Sequence, residues 1–172
     1  DFGRINTEIL YDNLMNKFVW GNIKDPKVNI DHFHDNTIAV MKYRNTFLRL
    51  AEQLMQEAAT ETRVMGDTII NEITDSTKIQ EAIRVLDKSL EEIPLYQVPA
   101  DFFLLNYISI YYAAGEQEKG NDLAWALALD NAQTLRYIGS LSPNRRKALE
   151  NDERRSMQAL QMLVDMARRN GE

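Results

Sequence analysis

The sequence predicts an all-α fold, and three observations carry that expectation. Apolar residues recur at helical spacing along most of the chain, from Leu10 and Leu14 near the start to Leu160 and Val164 near the end. Seven Gly and four Pro in 172 residues are too few for the many turns of an all-β fold. The segment from Ile79 to Ala128 contains two helix, turn, helix joints in succession. A chain of this length can bury roughly 70% of the surface its unfolded form exposes, so it can fold as one domain. The reading is therefore a single helical domain over 1–172, with an N-terminal helix and extended connection at 1–34. Helical repeats follow over 35–139, interrupted by an insertion at 59–76, and a capping helix closes the chain at 142–170.

From Thr7 to Trp20, Leu10, Leu14 and Phe18 form one apolar stripe, and Gly21 stands as the stop. Residues 22–35 carry Pro26, scattered charges and no sustained period, so they read as a surface connection. Asp35, Asn36 and Thr37 are all good N-cap residues for the next helix, to about Ala59, whose stripe is Val40, Tyr43, Phe47, Leu50, Ala51, Leu54 and Ala58. Its partner runs from Thr77 to Ile93 and carries Ile79, Ala82, Ile83, Leu86 and Leu90. Between them, Val64, Met65, Ile69, Ile70 and Ile73 demand burial, and the segment is read as an inserted helical piece. Ala100 to Ala114 is an apolar helix ended by Gly115, and an Ala- and Leu-rich helix then runs to Ile138, with Gly139 as its stop. Ser142 and Pro143 fit the N-cap and first position of a last helix to about Arg169, with the stripe Met157, Leu160, Val164 and Ala167.

Within this order, Ala82, Leu86 and Pro94 stand at offsets of four and twelve, an arrangement that resembles the second helix of a tetratricopeptide-type repeat. Gly120, Ala124 and Leu127 repeat the offsets of Ala82, Leu86 and Ser89 loosely. The expected architecture is thus a tetratricopeptide-like stack of antiparallel helix pairs, a right-handed α-α superhelix.

Composition bounds function. The formal charge of −6 opposes general nucleic-acid binding; residues 143–172 carry seven basic and five acidic side chains, a net +2, which leaves −8 for 1–142. The absence of Cys excludes a thiolate zinc site and a disulfide framework. The longest apolar run, Phe102 to Ala114, is interrupted by Asn106 and Ser109 and falls short of the ~20 residues a bilayer span needs. The start at Asp1, Phe2, Gly3 has neither an initiator Met nor a signal-peptide pattern and reads as an excision from something larger.

Candidate sites are sparse. His32 and His34 lie in Asp31, His32, Phe33, His34, Asp35, where an extended chain points both imidazoles one way. Spacing fixes no third ligand, capping and turn chemistry account for the Asp residues, and no metal is expected. Glu91 and Glu92 are adjacent on a helix and diverge, so they form no catalytic pair. Tyr107, Tyr111, Tyr112 and Trp125 are weak candidates for a groove that takes a peptide or a sugar ring, against burial between helices as the competing reading. No phosphate loop, dinucleotide glycine pattern or nucleophile constellation is present, so no catalytic residue, enzymatic activity or cofactor is expected of this chain.

Asn6 to Trp20, with Tyr11, Asp12, Asn13, Met15, Asn16, Lys17, Phe18 and Trp20 followed by Gly21, resembles the segment after the last membrane spans in a multi-spanning bacterial family related to protein O-mannosyltransferases. The helix Tyr43 to Glu57 with Arg44, Asn45, Phe47, Arg49, Leu50 and Ala51, the arm Ile83 to Pro94 and the joint Tyr111 to Asn121 are similar to that family's C-terminal soluble region. The insertion at 59–76 is longer than the family's usual turn. The resemblance implies a parent enzyme that takes a sugar from a lipid carrier, with an acidic catalytic residue near its own N-terminus. None of that machinery lies here, and no catalytic residue carries over.

On that footing the chain is a non-catalytic, extracytoplasmic (periplasmic) domain of an integral membrane protein, a cytoplasmic location remaining open. Its expected partners are the parent's membrane domain and a protein partner or acceptor polypeptide. The alternatives are a purely structural or dimerising tail, and a free-standing tetratricopeptide-like adaptor or ligand-binding domain.

Overall fold

The computed structural model describes residues 5–31, 39, 41–59, 61–65, 68–72 and 75–170. Among these residues stand seven α-helices and one two-stranded hairpin, with turns and irregular connections between them. By its internal contacts the chain divides into two compact units, Asp1–Val98 and Pro99–Glu172.

In the first unit, α1 (Thr7–Asp12) starts at Asn6, whose side chain accepts from the Ile9 N–H at 3.0 Å. The expected helix to Trp20 ends sooner. It widens into a π-turn at Asn13–Lys17, where the Phe18 N–H reaches the Asn13 carbonyl at 2.8 Å, and Phe18 is already extended. Gly21 is not a helix stop but part of a turn of its own. Gly21 and Asn22 both have positive φ, 62° and 61°, and the Ile23 N–H bonds to the Trp20 carbonyl at 3.3 Å. That is a turn with two left-handed central positions, which Gly and Asn tolerate best. Residues 22–28 then run as turns and 29–31 as irregular chain, as their composition suggests.

The first unit is centred on α2 (Asn45–Ala58), which packs along α3 (Ser76–Glu92). Phe47, Leu50, Ala51, Leu54 and Ala58 are fully buried on one side, and Ala82, Ile83, Val85 and Leu86 answer them on the other. The helices meet at their joined ends, where the Asp75 N–H donates to the Ala58 carbonyl at 3.4 Å and the Asp75 carboxylate caps Thr77 and Lys78. Thr7 on α1 and Lys78 on α3 both engage Glu57 of α2, at 3.1 and 3.4 Å. The N-cap trio Asp35–Thr37 lies outside the described residues.

The inserted helical segment expected at 59–76 is corrected. The chain there forms antiparallel strands β1 (Glu61–Met65) and β2 (Thr68–Glu72), with Met65 opposite Thr68. Only Gly66 and Asp67 separate the strands in sequence, the composition of a two-residue hairpin connection, and Thr62, Val64, Ile69 and Ile70 are β-branched.

In the second unit, α4 (Leu104–Ala113) buries Leu104, Leu105, Tyr107, Ile108 and Tyr111. Gly115 ends it as the sequence suggests, at φ 81°, with Gly115 N–H bonded to the Tyr112 carbonyl and Glu116 N–H to that of Tyr111, a Schellman closure. The long helix α5 (Gln117–Gly139) packs on α4 and on α7. Its contact with α4 needs Gly120, because a Cβ there would lie 2.5 Å from Cε1 of Tyr112, whose hydroxyl reaches Asn121 at 2.7 Å. Gly139 is helical and Ser140 caps it, donating its hydroxyl to the Tyr137 carbonyl, so the expected stop falls one residue late.

The single last helix is also corrected. Pro143 opens a short α6 (Pro143–Ala148), Leu149 leaves helical geometry, and α7 (Glu150–Asn170) restarts, with Arg146 paired to Glu153 across the break. The buried residues of α7 are Ser156, Ala159 and Leu163, not the expected Met157 and Val164, which are 58% and 45% exposed. Small side chains let α5 come close, and the bulkier neighbours turn outward.

Candidate functional site

In the first unit a pocket of about 350 Å³ lies at the end of the Asn6–Gly21 segment. Trp20, Ile23, Val28, Ile30, Ala39 and Tyr43 supply its apolar lining, and Asp31 is the one charged residue among the described lining residues. The indole of Trp20 is buried. It stands edge-on to Tyr43 at 5.3 Å between ring centres, tilts over Phe47 at 4.9 Å and meets Phe18 at 6.0 Å. Such edge-to-face contacts fix the ring orientation as well as burying area. Just before Trp20 in the chain, Phe18 is half-exposed and Val19 is 88% exposed, an apolar pair outside the pocket's own lining.

An irregular connection forms one wall, and the end of α3 holds it in place. The Gln97 side-chain amide donates to the carbonyls of Ile23, Asp25 and Val28 at 3.2, 3.0 and 2.9 Å, so its two hydrogens serve three acceptors. The Tyr96 hydroxyl donates to the Lys24 carbonyl at 2.6 Å, and the Lys24 ammonium bridges Glu91 and Glu92 at 3.1 and 3.0 Å. Burial alone would raise the Glu92 carboxyl, but the ammonium donors of Lys88 and Lys24 outweigh it and hold the group below its ordinary value. The two glutamates, expected to diverge along the helix, instead converge on the Lys24 ammonium, where they brace a loop.

Beneath the same wall lies Arg44, fully buried. Its Nη2 donates to the carbonyls of Ile93, which caps α3, and Val98, at 3.1 and 2.8 Å. A guanidinium at a helix C-terminus meets both the open carbonyls and the negative end of the dipole.

The four aromatic candidates do not share a groove. Tyr107 and Tyr111 are buried in the core of the second unit and offer no face to a ligand. Tyr112 is half-buried against Gly120, and Trp125 is 74% exposed on α5. A second hollow, of about 550 Å³, runs along the outer face of α7 past Glu150, Arg154, Met157 and Gln161. His32 and His34 lie outside the described residues. Among the described residues no three His, Cys, Asp or Glu side chains gather as a metal site, and no helix is long and apolar enough to cross a membrane.

Sequence reasoning singled out Trp20 only as a motif residue and missed Gln97. The signals were present: Gly21–Asn22 marks a left-handed turn that re-aims the chain after Trp20, and Gln97 stands between Pro94 and Pro99 with no helical role. No protein-family model, curated protein or solved structure matches the chain.

Proposed function

We infer that this chain is a non-catalytic interaction domain that positions an acceptor polypeptide for a larger membrane protein related to protein O-mannosyltransferases, on the extracytoplasmic side. The observation that supports this reading most is the position of the pocket. The segment that resembles the family, Asn6 to Gly21, supplies its aromatic wall, Trp20, and carries the exposed apolar pair Phe18 and Val19 directly before it in the chain. An apolar side chain of a bound polypeptide fits the cavity, while Phe18 and Val19 offer apolar contact to the rest of it. The α2/α3 pair, packed along its length though joined through a hairpin, supports a tetratricopeptide-like reading, since such stacks are built from helix pairs.

Two measurements test the reading. A tag at the C-terminus of the native product should report a species far larger than 19.9 kDa that resists alkaline extraction from membranes. The isolated chain should then capture glycosylated acceptor polypeptides, and Val19→Asp with Phe18→Asp should lower capture about tenfold, since both side chains face solvent and contribute through apolar contact. A soluble product of 19.9 kDa, or capture indifferent to both substitutions, overturns it.

A further inference from the structure

The outward side of α5 presents Glu118, Asp122, Trp125, Leu129, Ala132 and Arg136, all exposed. At about 100° per residue they fall within an arc of roughly 80°, a single stripe. Gly120, Leu123, Leu127 and Ile138, the buried residues of the helix, lie on the opposite side. Trp125 is 74% and Leu129 49% exposed, a large apolar surface to leave in water at the middle of a helix. Trp and Arg on one stripe are also the residue types that carry most interface energy.

The order of the stripe says what covers it. Acidic residues occupy its N-terminal end, apolar residues its centre and Arg136 its C-terminal end, and among the described residues none of the three charges makes an ion pair within the chain. Its steps are four, three, four, three and four residues, the same read from either end. A second α5 laid antiparallel and centred at the level of Leu127 therefore sets Trp125 over Leu129 of the other copy, and Leu129 over its Trp125. Glu118 then faces Arg136 of the other copy at both ends of a contact about 27 Å long at 1.5 Å per residue. A parallel pairing would set Glu118 against Glu118, so the charges select one direction.

We propose that this stripe is a homodimer interface, an isologous antiparallel α5–α5 contact between two copies of the chain. The partner is a second copy because the surface is complementary to itself about a two-fold axis. One helix pair lies at the small end of the interface range, so the association is weak, of micromolar order. It is independent of the pocket on the other unit, and loss of acceptor capture leaves it untouched.

The test is sedimentation of the full chain over a concentration series, with Trp125 emission followed in parallel. The wild type should pass from monomer to dimer as the Trp125 emission shifts to the blue. Glu118→Arg sets base against base and Arg136→Glu acid against acid, and each should weaken dimerisation about tenfold or more. An equimolar mixture of these two variants should dimerise again, because each then meets its opposite charge at both ends. Leu129→Asp should abolish association with the helical circular dichroism unchanged, as the side chain faces solvent in the monomer. A chain that stays monomeric throughout, a monomer whose Trp125 is already shielded, a dimer indifferent to the single swaps, or a mixture without recovery overturns the proposal.

Discussion

Residues 1–98 and residues 99–172 fold by different means. In the first unit a helix pair supports an irregular connection, and side chains that reach far along the sequence hold it. Arg44 bonds to Ile93 and Val98, Gln97 to three carbonyls of residues 23–28, and Lys24 to Glu91 and Glu92. In the second unit the links are close helix contacts, made where small residues let backbones approach, at Gly120 under Tyr112 and at Ser156 and Ala159 on α7. Irregular backbone has carbonyls that need donors, whereas packed helices satisfy their own and need shape. The first unit should therefore fail through lost polar bonds and the second through lost fit.

The largest effect is expected at Arg44. Arg44→Ala leaves the Ile93 and Val98 carbonyls buried without this donor and opens a cavity, for a loss of about 3–5 kcal/mol. The two tryptophans report the units separately, Trp20 in the first and Trp125 in the second. In urea unfolding the transition seen by Trp20 should move to lower denaturant while that of Trp125 stays near its wild-type midpoint. Equal shifts in both would mean that the units unfold together, and the contrast between them would not hold.

A smaller effect of opposite origin is expected at Gly120. Ala in place of Gly within a helix ordinarily stabilises by about 1 kcal/mol, but here the added methyl meets the Tyr112 ring, and overpacking of this kind costs about 1–3 kcal/mol. Gly120→Ala should destabilise the Trp125 transition in the wild type and stabilise it in a Tyr112→Ala background. A sign that does not invert in this double-mutant cycle would show that close fit is not what limits the α4–α5 contact.

The same contrast explains which parts of the molecule were legible in the sequence. The stripes of α2 and α3 read correctly because large apolar side chains at helical spacing are the buried ones. On α7 the pattern misled by one position, since the buried contacts are Ser156 and Ala159, and small residues carry little hydrophobic signal. Residues 61–72 are apolar enough to suggest a helix, and the two-residue Gly66–Asp67 connection is the local cue that favours strands. At the candidate site, Trp20 belonged to a recognised motif, but Gln97 and Arg44 act across 49 to 74 positions of sequence, where no periodicity points. Among Tyr107, Tyr111, Tyr112 and Trp125, residue type alone could not separate core from surface, because an aromatic ring serves either and only the helix orientation decides.

The smallest effect sharpens the account of the first unit, because it isolates the charge that braces the pocket wall. Glu92 is 8% exposed and receives Lys88 at 2.7 Å and Lys24 at 3.0 Å. Its folded-state pKa is depressed below the ordinary 4.5, so the unfolded chain binds the proton more readily than the folded one. The stabilisation is therefore fully present above that ordinary value and is lost as pH falls through the lower, folded-state value. Glu92→Gln keeps the shape and an acceptor oxygen but not the charge, and should cost roughly 1 kcal/mol near neutral pH, where two ammonium groups lose their shared negative partner. Below about pH 4 the wild type should begin to approach the variant, since the unfolded carboxyl is by then taking up a proton that the folded one resists. Urea midpoints from Trp20 at pH 7 and at pH 3.5 provide the comparison. A gap that stays constant between the two would assign the role of Glu92 to packing, and would leave Gln97 and Tyr96 as the groups that hold the wall.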